Sequence, residues 1–198
     1  MLKPSYNETL LEAGIDEAGR GCLAGPVFAA AVILPRNLML DDINDSKKIT
    51  EKKRYELREI IIKHAIDYAV EYSTNEEIDK LNILRATILA MHRCLDKLKV
   101  KPDFIIIDGN KFIPYKNIPY KTIVKGDSLY MNIAAASILA KTYRDDYMKN
   151  LHLKYPQYMW NENKGYPTES HIKAIEMYGL TPYHRKSFHL KCQQLRLF

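Results

Sequence analysis

The chain is poor in cysteine, with three in 198 residues at Cys22, Cys94 and Cys192, and none form a Cys-x-x-Cys pair. An odd, scattered set argues against a disulfide framework and a cysteine zinc site, and suits a reducing compartment. Long apolar runs are missing too. The longest, VFAAAVIL and IAAASILA, fall far short of the roughly 20 residues a bilayer-spanning helix needs. No membrane partner is therefore expected. The opening residues MLKPSYNETLLEAG show no secretory pattern, so the cytoplasm is the expected location. No internal repeat, low-complexity tract or clear linker is present. Tryptophan occurs once, at Trp160, and is read as a partly buried anchor. Acids are outnumbered, with 24 Asp and Glu against 30 Lys and Arg, for a net charge of +6. Such a balance favours a polyanionic partner.

Hydrophobic residues make up 46% of the chain, enough for a full core without metal or disulfides. One domain over residues 1–198 is expected, with a small C-terminal helical segment from about residue 155. EAGIDE and PVFAAAVILP read as buried strands flanking a glycine loop, and IDYAVEYS, DFIIID and YKTIV as later strands. TEKKRYELREIIIKHA reads as a helix with Leu57, Ile60, Ile61 and Ala65 on one stripe. Thr74 and Glu77 fit a capping box that opens a helical region over 76–98. A long helix is expected over about 128–151, and a shorter one in TESHIKAIEMYG that ends at Gly179. Adjacent early strands followed by helix–strand alternation predict an α/β fold, a mixed sheet flanked by helices.

The loop GIDEAGRG holds Asp16 and Glu17 inside a phosphate-loop frame. It lacks the Lys and Ser/Thr of a P-loop, and the near-fingerprint GRGCLA is followed by Pro26 and a strand rather than a helix. Two carboxylates would repel a bare phosphate. A divalent cation resolves the conflict by bridging acids to phosphate oxygen. In a regular strand neighbouring side chains diverge, so Asp16 and Glu17 converge only where Ala18-Gly19 breaks the strand. Asp108 ends FIIID at a strand terminus, and Asp127 lies in VKGDSLYMNIAAASILAK. Alone, the first is an ordinary Asp-Gly turn and the second an ordinary helix cap. Asp145 and Asp146 compete with Asp127, and the rise of a helix puts Asp145 about 27 Å further along. Crowded carboxylates repel by roughly 4 kcal/mol per close pair at intermediate dielectric, a cost that bound cations offset. The run Ala134-Ala135-Ala136 is read as close helix–sheet packing.

The motifs GIDEAGRGCLAGPV, NDSKK, EIDKLNIL, PDFIIIDGN, VKGDSLYMNIAAASILAKTYRD, NKGYPT and HRKSF run in order from about Gly14 to Phe188. In that order they resemble the ribonuclease HII family. The resemblance implies an RNase H-like fold and a metal-dependent endonuclease that uses Mg2+ or Mn2+. It implies cleavage of the RNA strand of RNA–DNA hybrids and incision 5′ of ribonucleotides embedded in duplex DNA. Water activated by the divalent metal would leave 3′-hydroxyl and 5′-phosphate ends, and a monomer suffices. It places the four metal-binding acids on Asp16, Glu17, Asp108 and Asp127, which settles the choice against Asp145. It assigns Gly19, Arg20 and Gly21 to the ribose 2′-hydroxyl, and Tyr166 to the sugar beside the junction. Ser46, Lys47 and Lys48 resemble a phosphate-contacting turn. Lys164 and Arg185, with Lys141, Arg144, His184 and Lys186, extend a basic track. Two residues depart from the family pattern, Cys22 where proline is usual and Asn163 where histidine is common. The alternative of a metal-independent ribonuclease rests on histidines, but His64, His92, His152, His171, His184 and His189 are scattered. A hybrid-binding module without catalysis would lack one of the acids, and a phosphotransferase would need the missing P-loop lysine.

Overall fold

The computed structural model describes residues 2–38, 43 and 49–188. Strands β1 (Glu12–Ala18), β2 (Val27–Ile33) and β3 (Asp67–Ser73) form an antiparallel meander. Strands β4 (Phe104–Asp108) and β5 (Tyr120–Ile123) add in parallel on the other side of β1, giving the order β3-β2-β1-β4-β5. A short loop permits the antiparallel pair β1–β2, whereas parallel β4 requires the crossover that precedes it. The mixed sheet flanked by helices is the architecture expected from the sequence.

Alternation divides the sheet between two helical layers. Ala13, Ile15, Ala29, Ala31, Ile105 and Ile107 pack with Met91, Cys94 and Leu95 of α3 (Ile83–Lys97). On the other face Ala30 and Val32 meet Ala134, Ala135, Ala136 and Ile138 of α4 (Met131–Lys154), with Leu57 and Ile61 of α1 (Glu51–His64) alongside. Small residues let α4 rest against β1, and a Cβ on Gly14 would lie 2.3 Å from the Asn132 carbonyl carbon. Thr50 caps α1, but Ile60 lies outside the buried stripe at 37% exposure.

The capping box forms as read: Thr74 N–H donates to Glu77 and Glu77 N–H to Thr74 Oγ1 at the start of α2 (Asn75–Leu81). The single helical region expected over 76–98 is broken, however. Asn82 takes a left-handed φ of 70° and caps α3 with its own side chain, which accepts from Arg85 N–H at 3.1 Å. The long helix also starts later than expected. Gly126–Ser128 make one 3-10 turn, so Asp127 lies in a turn before α4 and Tyr130 occupies the cap position.

At the C-terminal side, α5 (Trp160–Asn163) and α6 (Glu169–Tyr178) follow, the latter capped by Thr168 and ended by Gly179. Trp160 is fully buried rather than partly so, in a cluster with Leu23, Ala24, Met148, Tyr158 and Ile175. Main-chain bonds tie this segment to the loop after β1: Leu23 N–H donates to Gly165 and Arg185 N–H to Leu23, both at 2.8 Å. Among the described residues no helix is long and apolar enough to cross a membrane.

Candidate active site

The parallel ladder between β1 and β4 ends at Ile15–Ile107, so Asp16 and Asp108 come next, side by side at the carboxyl ends of two neighbouring strands. Ile15 and Ile107 face α3, and period-two alternation turns both acids toward α4. Asp16 is buried, and its carboxyl is pushed well above the usual carboxylate range by burial first, then by the charges of Glu17 and Asp108. A hydrogen bond from Ser137 and the Glu17 N–H, 2.7 Å from Asp16 Oδ1, act in the opposite sense. Asp108 Oδ1 accepts from Gly126 N–H at 2.7 Å, and Glu17 pairs with Arg20 at 3.0 Å.

Asp16, Glu17 and Asp108 line one cleft with Gly19, Arg20, Gly21 and Tyr166, and α4 contributes Ser137 and Lys141 to its wall. Asp127 is not part of that wall. It is buried in the turn that starts at Gly126, next to the amide that Asp108 binds, with Ser128 Oγ 3.4 Å from its Oδ1. Among the described residues no three His, Cys, Asp or Glu side chains are gathered closely enough to hold a metal ion as they stand. The donor chemistry nevertheless fits one. Carboxylate oxygens are the hard ligands that Mg2+ and Mn2+ prefer, and the Asp16 carboxyl is raised by burial first and then by the charges of Glu17 and Asp108, a crowding that a cation would relieve. Asp145 and Asp146, the rival acids, are engaged elsewhere: Asp145 with Lys141 at 2.6 Å, Asp146 with Arg58 at 2.6 Å and with the Tyr55 hydroxyl.

The basic track departs from the sequence reading at four positions, because Lys164, Arg185, Arg144 and His184 are all buried. Arg185 is buried, and its guanidinium donates to the carbonyls of Gly19, Arg20 and Gly25 at 2.7–2.9 Å. Lys164 is buried as well, its ammonium turned to the Asn161 carbonyl and its own carbonyl bound by Arg144. Neither charge is presented to the cleft, because both are spent on main-chain oxygens. Ser46, Lys47 and Lys48 lie outside the described residues. Arg20, by contrast, keeps a half-exposed side chain at the cleft mouth.

Tyr166 is 38% exposed, with the Arg144 guanidinium 5.8 Å from its ring centroid. Burial, foremost, pushes its hydroxyl up to about 12. Its main chain is fixed on both sides: its N–H donates to the Asn163 carbonyl, and its carbonyl accepts from His171 Nδ1, each at 2.9 Å. Asn163 shapes this turn from inside, donating to the Tyr158 carbonyl at 2.7 Å and accepting from Gly165 N–H at 2.8 Å. Cys22, the other departure from the family pattern, is fully buried beneath the loop. Sequence reasoning missed Ser137, which directly follows the run Ala134-Ala135-Ala136 read as packing. The available signal was its spacing of four from Lys141, which puts both on one face of α4.

Strand-end acids beside an arginine-bearing glycine loop on a mixed sheet form a cleft suited to metal-assisted chemistry at a phosphate. Comparison with known proteins narrows that class. The Ribonuclease HII family profile matches residues 13–191. Ribonuclease HII of Parabacteroides distasonis is 60% identical over 197 residues, covering 100% of this chain and 99% of that protein. The crystal structure of ribonuclease H2 from Pyrococcus horikoshii OT3 aligns with a TM-score of 0.76 at 27% identity, covering 90% of this chain and 93% of that one. Bst-RNase HIII, solved in complex with Mn2+, shares the fold with a TM-score of 0.68 at 18% identity, covering 93% of this chain and 69% of that one. The chain belongs to the ribonuclease HII family and is an endoribonuclease.

Proposed function

We propose that the chain hydrolyses the RNA strand of RNA–DNA hybrids and incises 5′ of ribonucleotides embedded in duplex DNA, leaving 3′-hydroxyl and 5′-phosphate ends. One observation carries the reading: Asp16, Glu17 and Asp108 line a single cleft with the Gly19-Arg20-Gly21 loop and Tyr166. Asp16, Glu17, Asp108 and Asp127 would hold Mg2+ or Mn2+. When bound, such an ion supplies an activated water and charge compensation at the leaving oxygen. The remaining work falls to the chain itself. The glycine loop brings main-chain groups close to the ribose, where the 2′-hydroxyl both donates and accepts. The exposed Arg20 side chain neutralises phosphate, and Tyr166 packs on the sugar beside the cut. Monomeric action of the 198-residue chain in the cytoplasm completes the reading.

Product ends test it. A duplex cut by the wild type with Mg2+ is expected to give a 3′ end that a DNA polymerase extends and a 5′ end that a ligase seals. Asp108→Asn is expected to leave the substrate intact. A 2′,3′-cyclic phosphate end formed without metal would instead mean that the ribose hydroxyl is the nucleophile, and the proposal would fall.

A further inference from the structure

Two arginines lie buried behind the cleft. Arg185 and Arg144 are 2% and 1% exposed, and among the described residues neither forms an ion pair with a carboxylate. Their guanidinium groups are instead satisfied by main-chain oxygens. Arg144 donates to Ala24, Pro26 and Lys164 at 2.8–3.1 Å, and Arg185 to Gly19, Arg20 and Gly25 at 2.7–2.9 Å. Burying a charge in this way is costly, and the arrangement has a specific geometric consequence.

A trans peptide points its C=O and the following N–H in opposite directions, and no described peptide bond is cis. Because Arg185 draws the Gly19 and Arg20 carbonyls inward, the N–H groups of Arg20 and Gly21 must point away from it. Gly19, Arg20 and Gly21 line the cleft, whereas Arg185 does not. Among the described residues neither amide has a protein acceptor. Two successive amides aimed at one place make a concavity for an electron-rich oxygen. The left-handed φ of 94° at Gly19 helps set this loop geometry, and Arg144 packs where a Gly19 side chain would be.

We propose that Arg185 is a positioning residue for ribose recognition: by holding the Gly19 and Arg20 carbonyls from behind, it turns the Arg20 and Gly21 amides onto the 2′-hydroxyl oxygen of the junction ribonucleotide. The inference rests on the reading above that this loop meets the ribose. It replaces a phosphate contact by Arg185 with an indirect role, and it makes specificity depend on a side chain that never touches substrate.

The test is binding in chelator, so that it is separate from hydrolysis. Affinity is measured for a duplex with one ribonucleotide and for the same duplex in all-DNA form. Lysine at 185 keeps the positive charge but lacks the planar fork that spans three carbonyls. Arg185→Lys is expected to lower the ribonucleotide preference about tenfold, the worth of one lost hydrogen bond, while all-DNA affinity is kept. Arg20→Ala, which spares the amides, is expected to weaken both duplexes alike and leave the preference intact. An unchanged preference in Arg185→Lys overturns the proposal. If that variant does not fold, the amide resonances of Arg20 and Gly21 in the wild type decide. They should shift with the ribonucleotide duplex and not with the all-DNA one, and equal responses overturn the proposal. A wild type that cuts with Mg2+ but shows no ribonucleotide preference in chelator sinks this inference and spares the hydrolytic reading. Preference without cutting does the reverse.

Discussion

Gly19 shows how tightly the cleft is specified by single residues. Its φ is 94°, and a Cβ there would lie 1.9 Å from Arg144 Nε. Both facts penalise any side chain, so Gly19→Ala is expected to cost about 2–4 kcal/mol in urea unfolding. A loss below 0.5 kcal/mol would mean the loop can relax away from Arg144. The buried histidines make a second case. Thr181 N–H donates to His184 Nδ1 at 2.9 Å, so His184 carries its proton on Nε2 and faces His171 Nε2 at 3.2 Å. His171 in turn donates from Nδ1 to the Tyr166 carbonyl and accepts from Trp160 Nε1. This network needs both rings neutral. Burial first, then the neighbouring His171, lowers His184 from 6.5 to about 4. Between those values the unfolded chain binds more protons than the folded one. The stabilisation is therefore complete above about 6.5 and is lost as pH falls toward 4. The melting temperature should drop across that window, and His184→Gln should flatten the drop even though it lowers the starting value. An equally steep drop in the variant would contradict the assignment.

Strands and helix starts were largely legible from the chain because their signals are local. The runs that became β1, β2 and β4 are short and apolar between turn residues, and Thr74 announces α2 through its capping box, whereas the Thr50 and Thr168 caps emerge only in the structure. The break at Asn82 was not legible, since apolar periodicity continues across it and a left-handed backbone leaves no mark on that pattern. Asn82→Gly should be nearly neutral, whereas Asn82→Val should cost about 1–2 kcal/mol by losing the cap and straining a β-branched residue at positive φ. Thermal melts of the two variants decide, and equal stabilities would deny the break any specific role. The acids at the strand ends were also readable, because alternation and strand termini fix their direction. Arg185 and Lys164 were not. A cation in a basic motif looks like a phosphate contact, and only the folded chain reveals that carbonyls surround it.

Across the whole molecule, a net charge of +6 sits beside a cleft built around acids. On the proposed reading, the excess positive charge attracts a nucleic-acid backbone and the acids reserve one spot for a cation. Binding of duplex in chelator should therefore weaken with salt, with a log–log slope of about −2 or steeper. A flat response would show that phosphate contacts contribute little. Asp127 is the decisive acid, because it is buried next to the Asp108-bound amide and does not line the cleft. If the four acids form one metal site, its removal must abolish chemistry. The direct measurement is cleavage of a labelled DNA duplex carrying one ribonucleotide, by wild type and Asp127→Asn, with Mg2+, Mn2+ or chelator. The account predicts wild-type incision 5′ of the ribonucleotide with either metal, none in chelator, and none by the variant. Cutting that persists in chelator, or wild-type activity in Asp127→Asn, would contradict it.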